Sequence, residues 1–192
     1  MIELELKDRV AHIVLNKPQS LNAMGPWFWD NMAEVVEKID ANDDIRVAVL
    51  SAKGRAFTAG LDFMGMMPRF PMGGKGPDAS RQHKLHAMIR QMQWSVTSLE
   101  RCRVPVIAAI NGYCIGAGVD LITACDIRLA THDALFSVRE VKVGIVADIG
   151  TLQRLPRVVT PGIARELVFT GCDVDAQRAR DIGLVNQVFE SQ

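Results

Sequence analysis

The spacing of apolar residues alternates along the chain between two residues, typical of strands, and about 3.6 residues, typical of helices. This alternation favours a layered α/β domain. The predicted elements, in chain order, are a hairpin over 2–15, a helix over 26–40, a strand over 46–51, a helix from Ser80 to about Arg101, a strand over 104–110, a helix over 116–124, short strands over 127–130 and 135–138, a helix from about Thr151, and a last helix, turn and strand over 175–189. Because the strands are short and regularly interrupted, we expect a single domain over 1–192, built from stacked β-β-α turns and not from a closed barrel.

Residues 64–79 interrupt this pattern, because glycine and proline alternate there with methionine and phenylalanine. Such a composition predicts a mobile loop of the kind that covers a site. Methionine is flexible and apolar, so Met64, Met66 and Met67 either line a pocket for a fatty acyl chain or only form its cover.

Composition and charge exclude several classes of protein. The 192 residues include 22 basic and 22 acidic side chains, which leaves no net charge for binding nucleic acid. The longest apolar stretch, 104–110, is far shorter than the roughly 20 residues that span a bilayer. The four cysteines have no C-x-x-C spacing, which predicts reduced thiols and a cytoplasmic location.

Three carboxylic acids lie in apolar sequence. Asp120 lies within an apolar helix, while Glu140 and Asp148 are eight residues apart in segment 137–150, which we expect to be largely buried. Burial disfavours the charged form, and carboxyls that face one cavity push their pKa values apart. The trio therefore predicts a site with one acid and one base near neutral pH.

Two glycine-bearing turns, 57–62 and 111–118, each follow a predicted strand. Small residues let a ligand approach the backbone, and free N–H groups at a helix start attract an anionic oxygen. Together the turns predict an oxyanion hole, although ordinary turn chemistry explains either one alone. The residues expected to contact a substrate are Ala59, Gly60, Asp62, Met64, Gly116 and Gly118.

Some polar residues have simpler structural interpretations. Asp62 and Asp126 are typical turn or cap residues. His83 and His86 fit a solvated helix face better than a pair of metal ligands, so no metal site is predicted.

Four motifs occur in one order along the chain: FTAGLD at 57–62, GYCIGAGVD at 112–120, ACDIR at 124–128 and GTLQRLP at 150–156. With them the chain resembles the enoyl-CoA hydratase/isomerase (crotonase) superfamily over essentially its whole length. The resemblance implies a spiral of β-β-α repeats and an acyl-CoA thioester as substrate, with CoA as part of that substrate and no separate cofactor. It also implies that the backbone N–H groups of Leu61 and Ala117 hold the thioester oxygen, with Ala117 at a position where the family usually has glycine.

The acids make the chain most similar, within the superfamily, to the Δ3,5-Δ2,4-dienoyl-CoA isomerases. Hydratases resemble it at Glu140, but they generally have glutamate at the position of Asp120 and glycine at that of Asp148. Converting a 3,5-diene to a 2,4-diene removes a proton at C2 and adds one at C6, and these sites are too far apart for one side chain. The resemblance implies that Glu140 acts at C2 and Asp148 at C6, while Asp120 tunes or holds Glu140.

Members of the superfamily generally continue into further helices after the last core strand, and this C-terminal helical region is missing from a chain that ends at Gln192. With those helices the resemblance implies a homotrimer or hexamer. Without them we expect apolar surface on the helices over 151–169 and 175–183 to be exposed and to favour self-association.

Three functions remain open at this point. The first is dienoyl-CoA isomerase in fatty acid β-oxidation, and the second is enoyl-CoA hydratase or Δ3-Δ2 enoyl-CoA isomerase. The third is a non-catalytic acyl-CoA-binding protein, which the intact acidic trio argues against. Whether Asp148 points into the pocket distinguishes the first function from the second.

Overall fold

The structure, a computed structural model, describes residues 1–71 and 78–190. Within these residues the main sheet has six strands, in the spatial order β1 (Ile2–Lys7), β2 (Val10–Leu15), β3 (Val47–Ala52), β5 (Val106–Ile110), β7 (Ile127–Thr131) and β10 (Gln187–Phe189). The predicted hairpin is confirmed, since β1 and β2 pair antiparallel. The other neighbours in this sheet pair parallel.

A smaller sheet has four strands in the part of the chain that the structure describes, in the order β4 (Ala56–Thr58), β6 (Tyr113–Ile115), β8 (Leu135–Ser137) and β9 (Val174–Asp175). The helices, in chain order, are α1 (Pro26–Trp29), α2 (Met32–Asp40), α3 (Phe63–Met66), α4 (Asp78–Glu100), α5 (Ala117–Thr123), α6 (Thr151–Val158), α7 (Pro161–Thr170) and α8 (Ala176–Asp181). Short 3-10 turns lie at Pro18–Ser20, Met67–Arg69 and Glu140–Val143.

The expected spiral of β-β-α turns is confirmed. Each turn contributes one strand to the large sheet and one to the small sheet, and then continues into a helix: β3, β4 and α4; β5, β6 and α5; β7, β8 and α6. The end of each small-sheet strand and the start of the next helix therefore recur at the same edge of the molecule. The candidate site lies at this edge.

The buried apolar side chains form one cluster between the sheets and helices. In β2 alternate residues are buried, including Ile13 and Leu15 at 0% exposure. In α2 the buried residues Met32, Val36 and Ile39 follow helical spacing. The single-domain organisation stays a prediction, which this continuous core supports.

The helix predicted over 26–40 is in fact two helices, α1 and α2, separated at Asp30 and Asn31. Asparagine and aspartate side chains compete for backbone hydrogen bonds. Here Asn31 Nδ2 donates to the carbonyl of Trp27 at 2.8 Å.

The prediction that residues 64–79 form a loop ending at a cap on Ser80 was wrong in two respects. Residues Phe63–Met66 are helical, and the long helix already begins at Asp78, so Ser80 lies inside it. Asp62 caps α3, because its carboxylate accepts the N–H of Gly65 at 2.8 Å. Residues 72–77, including Met72, lie outside the described residues.

The two glycine-bearing turns also contain strands that the sequence analysis missed, β4 and β6. Each has three residues, too few to show a period of two. They are fixed by parallel pairing of β4 with β6 and of β6 with β8.

Segment 137–150 was expected to be largely buried, and this was wrong. Val141, Val143 and Val146 are 45%, 57% and 66% exposed, whereas Ala147 and Ile149 are buried. After β8 the chain runs over the surface as a 3-10 turn, so residues 141–146 are all exposed and burial resumes only at Ala147. Among the described helices, none is long and apolar enough to cross a membrane.

Candidate active site

An apolar cavity of about 420 Å³ lies between α4, the segment after β4 and residues 145–149. This volume is within the range of about 300–1,000 Å³ typical of small-molecule sites. Its lining residues are Trp29, Leu61, Phe63, Met67, Phe70, Leu85, Ile89, Met92, Ala117, Glu140, Ile145, Val146, Ala147, Asp148 and Ile149. The cavity therefore brings together four residues to which the sequence analysis assigned chemistry: Leu61, Ala117, Glu140 and Asp148.

The backbone of Leu61 is oriented by a bridge to Met24. Met24 donates to the carbonyl of Gly60 at 2.7 Å, and Asp62 donates to the carbonyl of Met24 at 3.1 Å. In this parallel bridge the N–H of Leu61 points away from Met24, and it has no hydrogen-bond partner among the described residues. A donor is thus left free beside the cavity.

The N–H of Ala117 is free for a different reason. Ala117 is the first residue of α5, and the first N–H groups of a helix have no partner within it. Its side chain is 6% exposed and lines the cavity, so the alanine methyl is accommodated.

The two donors are brought close by Gly60. Its φ is +89°, and a Cβ there would lie 2.6 Å from the carbonyl oxygen of Ile115 and 3.5 Å from the nitrogen of Ala117. Only glycine permits this approach. The two turns therefore meet backbone to backbone, and each contributes to the cavity wall one residue with a free N–H group, Leu61 and Ala117.

Glu140 begins the 3-10 turn after β8. Burial raises its pKa to about 7, and the charges of Asp120 and Asp148 act in the same direction. A Cβ on Gly116 would lie 3.4 Å from Glu140 Oε1, so this carboxyl adjoins the turn that precedes Ala117. Its other oxygen, Oε2, is buried without a partner among the described residues. Glu140 is thus suited to exchange protons near pH 7.

Asp120 is fully buried in α5 behind the cavity. Its Oδ1 accepts the backbone N–H of Thr151 at 2.5 Å. Burial raises the pKa of Asp120 to about 6, although the Thr151 hydrogen bond and the charge of Arg154 lower it. Asp120 does not line the cavity, but its charge raises the pKa of Glu140, which does.

Asp148 lies in the cavity wall just before α6 and is still exposed to solvent. Burial raises its pKa above the ordinary value. Its charge in turn raises the pKa of Glu140. One cavity is therefore lined by two carboxyls whose proton affinities are coupled and by two residues with free backbone N–H groups.

Comparison with known proteins assigns the chain to a family. The family model for enoyl-CoA hydratase/isomerase matches residues 5–192. The chain belongs to the enoyl-CoA hydratase/isomerase family.

Curated relatives in this family include the peroxisomal Δ(3,5)-Δ(2,4)-dienoyl-CoA isomerase of Arabidopsis thaliana, which is 44% identical over 184 residues. The mitochondrial Δ(3,5)-Δ(2,4)-dienoyl-CoA isomerase of Homo sapiens is 46% identical over 182 residues. These alignments cover 95% and 94% of the chain, but only 66% and 55% of the two relatives.

Solved structures of the family share the fold. An enoyl-CoA hydratase/isomerase from Mycobacterium paratuberculosis is 32% identical with a TM-score of 0.85, over 99% of this chain and 73% of the other. Enoyl-CoA hydratase from Bacillus anthracis is 29% identical with a TM-score of 0.85, over 98% and 69% of the two chains.

The other residues that were expected to contact a substrate are not part of the cavity lining. Met64 is 81% exposed, while the neighbouring Met67 lines the cavity. Asp62 caps α3, and its closest cation is Lys17 at 4.0 Å. Gly118 lies inside α5, where a Cβ would be 2.7 Å from Thr58 Cγ2. Ala59 is half-buried, with its N–H bonded to Leu21.

Residues that line or support the cavity were also missed. Leu85, Ile89 and Met92 line it from α4, and their spacing of four and three residues is a signal that could have identified this face. Trp29 lines the cavity as well, and no pattern in the sequence indicates this.

The remaining polar predictions concern caps and metals. Asp126 accepts the N–H of Val106 at 2.7 Å, a structural role. His83 and His86 are exposed on α4, as expected. Within 1–71 and 78–190, no group of three His, Cys, Asp or Glu side chains is arranged to hold a metal ion.

Proposed function

We propose that this chain is a dienoyl-CoA isomerase of fatty acid β-oxidation, which converts a 3,5-dienoyl-CoA to the 2,4-dienoyl-CoA. The observation that carries the proposal is that Glu140, Asp148 and the N–H groups of Leu61 and Ala117 surround one apolar cavity. An apolar cavity suits an acyl chain, and two coupled carboxyls suit removal of one proton and delivery of another.

In the proposed mechanism Glu140 is ionised and takes a proton from C2. The electron pair of the broken C–H bond delocalises into a dienolate, which places negative charge on the thioester oxygen. The N–H groups of Leu61 and Ala117 stabilise that charge. Asp148 then gives its proton to C6, and transfer from Glu140 through solvent restores the starting state.

Proton delivery requires Asp148 to be protonated when the substrate is bound. Burial already raises its pKa in the free protein. An acyl chain that fills the cavity removes more water from this half-exposed carboxyl and raises its pKa further. Substrate binding thus favours the neutral acid that the second step needs.

We infer a supporting role for the other acid. Asp120 is fixed by the N–H of Thr151, and its charge raises the pKa of Glu140. It therefore makes Glu140 a stronger base once ionised. The glycines at 60 and 116 keep the backbone close to the thioester. Gly118, which packs against Thr58, and Ala59, Asp62 and Met64 stay a proposal as substrate contacts.

The position of Asp148 favours isomerisation over hydration. Hydratases resemble this chain at Glu140 but generally have glycine at position 148, where they need no second acid for C6. Here Asp148 lines the same cavity as Glu140.

Turnover of 3,5-dienoyl-CoA, followed by the absorbance of the conjugated 2,4-dienoyl thioester, tests the proposal. Asp148→Asn should reduce isomerisation by at least about 10²-fold, the usual contribution of a general acid or base, with little change in acyl-CoA affinity. Asp44→Asn, at an exposed acid outside the cavity, is the control and should keep its rate. Near-normal turnover by Asp148→Asn contradicts the two-acid mechanism.

Exchange of the C2 protons with deuterated solvent separates the two steps. Glu140→Gln should stop exchange in a bound acyl-CoA, whereas Asp148→Asn should still permit it. If both variants or neither lose exchange, Glu140 is not the base at C2. Binding without exchange or isomerisation in the unsubstituted protein favours a non-catalytic acyl-CoA-binding function.

We expect the acyl-CoA to be the only small molecule required, with no separate cofactor. The cytoplasmic location stays a prediction, supported by four free cysteines, while the names of the two relatives assign those proteins to peroxisomes and mitochondria.

Assembly into a homotrimer or hexamer is likewise a proposal, supported by exposed apolar side chains at Val143, Val146 and Phe169.

A further inference from the structure

A buried arginine lies directly behind the Asp148 segment. Arg154, in α6, is only 5% exposed. Its Nε donates to Glu100 Oε2 at 2.8 Å, its Nη2 to Thr97 Oγ1 at 2.8 Å, and its Nη1 to the carbonyl of Ile149 at 3.2 Å. Charged side chains are seldom buried unless paired and hydrogen-bonded, and this guanidinium is both.

The same network fixes the backbone at Asp148 and at the residue that follows it. Gln93 Nε2 donates to the carbonyl of Asp148 at 2.6 Å, and Arg154 holds the next carbonyl. Gly150 has φ +134°, and a Cβ there would lie 1.7 Å from Arg154 Nη1. The guanidinium therefore fills the space beneath Gly150 and requires a glycine at that position.

The hydrogen bonds to Asp148 and Ile149 are both to main-chain carbonyl oxygens, so they leave the Asp148 carboxyl free to line the cavity. Gln93, Thr97 and Glu100 all belong to α4, the helix that also forms the apolar wall of the cavity. The wall and the Asp148 segment are thus joined through Arg154.

We propose that Arg154 is a positioning residue that, together with Gln93, fixes the Asp148 carboxyl at the C6 end of the acyl cavity. This inference rests on the proposed function. Arg154 lines a separate polar cleft outside the acyl cavity, so it does not contact the acyl chain itself. It holds the Asp148 segment by hydrogen bonding, and its charge also lowers the pKa of Asp120. A displacement of about 1 Å at a reacting group can reduce a rate by about 10²-fold.

The test compares two reactions of Arg154→Ala. Isomerisation of 3,5-dienoyl-CoA should fall by about 10²-fold, because it needs Asp148 at C6. Exchange of the C2 protons should stay within a few-fold of the unsubstituted protein, since it needs only Glu140 and the oxyanion hole. A merely structural role would lower both reactions together, in proportion to the folded fraction. Equal loss of both, or no loss of isomerisation, overturns the proposal.

Two further variants keep the test decisive. Gln93→Ala removes one neutral hydrogen bond from a partly exposed residue. It should lower isomerisation by about tenfold and leave C2 exchange nearly unchanged. If isomerisation does not fall relative to exchange in Gln93→Ala, the proposal is overturned even if Arg154→Ala does not fold.

Arg157→Ala is the matched control, because Arg157 also donates to Glu100, at 3.1 Å, and has no hydrogen bond to the Asp148 segment. Arg157→Ala should leave both isomerisation and C2 exchange unchanged. If it lowers isomerisation but not exchange, the contact of Arg154 with Ile149 is not what positions Asp148.

The outcome also separates this inference from the proposed function. An unsubstituted protein that does not isomerise 3,5-dienoyl-CoA contradicts the function itself. An active protein whose Arg154→Ala variant shows no split contradicts only the positioning role.

Discussion

The proton affinity of Glu140 is set by two features of its surroundings. Burial raises its pKa to about 7, and the nearby charges of Asp120 and Asp148 raise it as well. Glu140 must be ionised to remove a C2 proton. Exchange at C2 therefore depends on pH in the range where cells operate.

We predict that the rate of C2 exchange rises with pH through about 7 and levels off above it. Asp120→Asn removes a negative charge that raises the pKa of Glu140, so the rising limb should move to lower pH. Measurement of exchange by NMR between about pH 5 and 9 checks this shift. Asp44→Asn is the control and should leave the pH profile of C2 exchange in place. If the rising part of the profile is at the same pH in Asp120→Asn, Asp120 does not tune the pKa of Glu140.

At the scale of elements, the start of α5 determines the second oxyanion donor. Ala117 is the first residue of the helix, where its N–H has no helical partner. Proline is well tolerated at this position because its fixed φ suits a helix start. Ala117→Pro can thus remove the donor and leave the helix in place.

We predict that Ala117→Pro lowers both C2 exchange and isomerisation by about 10² to 10³-fold, the usual effect of losing one oxyanion donor. Ala117→Gly, which keeps the N–H, should lose far less. Circular dichroism and acyl-CoA affinity should be nearly unchanged in both variants. If exchange persists at a normal rate in Ala117→Pro, this N–H does not stabilise the intermediate.

The sequence predicted most elements, but not those specified by distant pairing. Helix α2 and strands β2 and β3 were clear, because their buried positions follow a regular period. Strands β4 and β6 were missed, since three residues cannot show a period and only their pairing with each other and with β8 defines them. The break between α1 and α2 was missed because local hydrogen bonds of Asn31 override the apolar spacing.

On the scale of the whole molecule, exposed apolar surface is distributed unevenly. Phe169 is 73% and Leu152 38% exposed at a groove between α6 and α7. The expectation of apolar exposure on α8 was wrong, because its apolar residues Ala176 and Ala179 are buried. Self-association should therefore involve the groove between α6 and α7 and not α8.

We predict that the chain self-associates and that Phe169→Glu weakens this association, because burying an unpaired charge in an apolar contact is unfavourable. Leu6→Glu is the matched control, since Leu6 is a 42% exposed apolar residue on the edge strand β1. Sedimentation velocity should show a shift toward monomer for Phe169→Glu alone. A stable monomer with full isomerase activity before any substitution would mean that the cavity closes within one chain.

Part of the candidate site followed from sequence. Motifs at 57–62 and 112–120, together with the acids, indicated Leu61, Ala117, Glu140 and Asp148, and the structure places these four around one cavity. Their roles stay a proposal. Short motifs can be read locally, because each specifies a turn or a helix start whose geometry depends on neighbouring residues.

The sequence by itself determined the α/β class, the β-β-α spiral and the family, since these depend on apolar periodicity and on motifs within short segments. Only the tertiary structure decided that Met64 faces solvent and that Arg154 lies behind Asp148. Gln93 and Asp148 are 55 residues apart in the chain and meet only when α4 packs beside the cavity. Contacts of this kind depend on how whole elements pack, and no local pattern of residues specifies them.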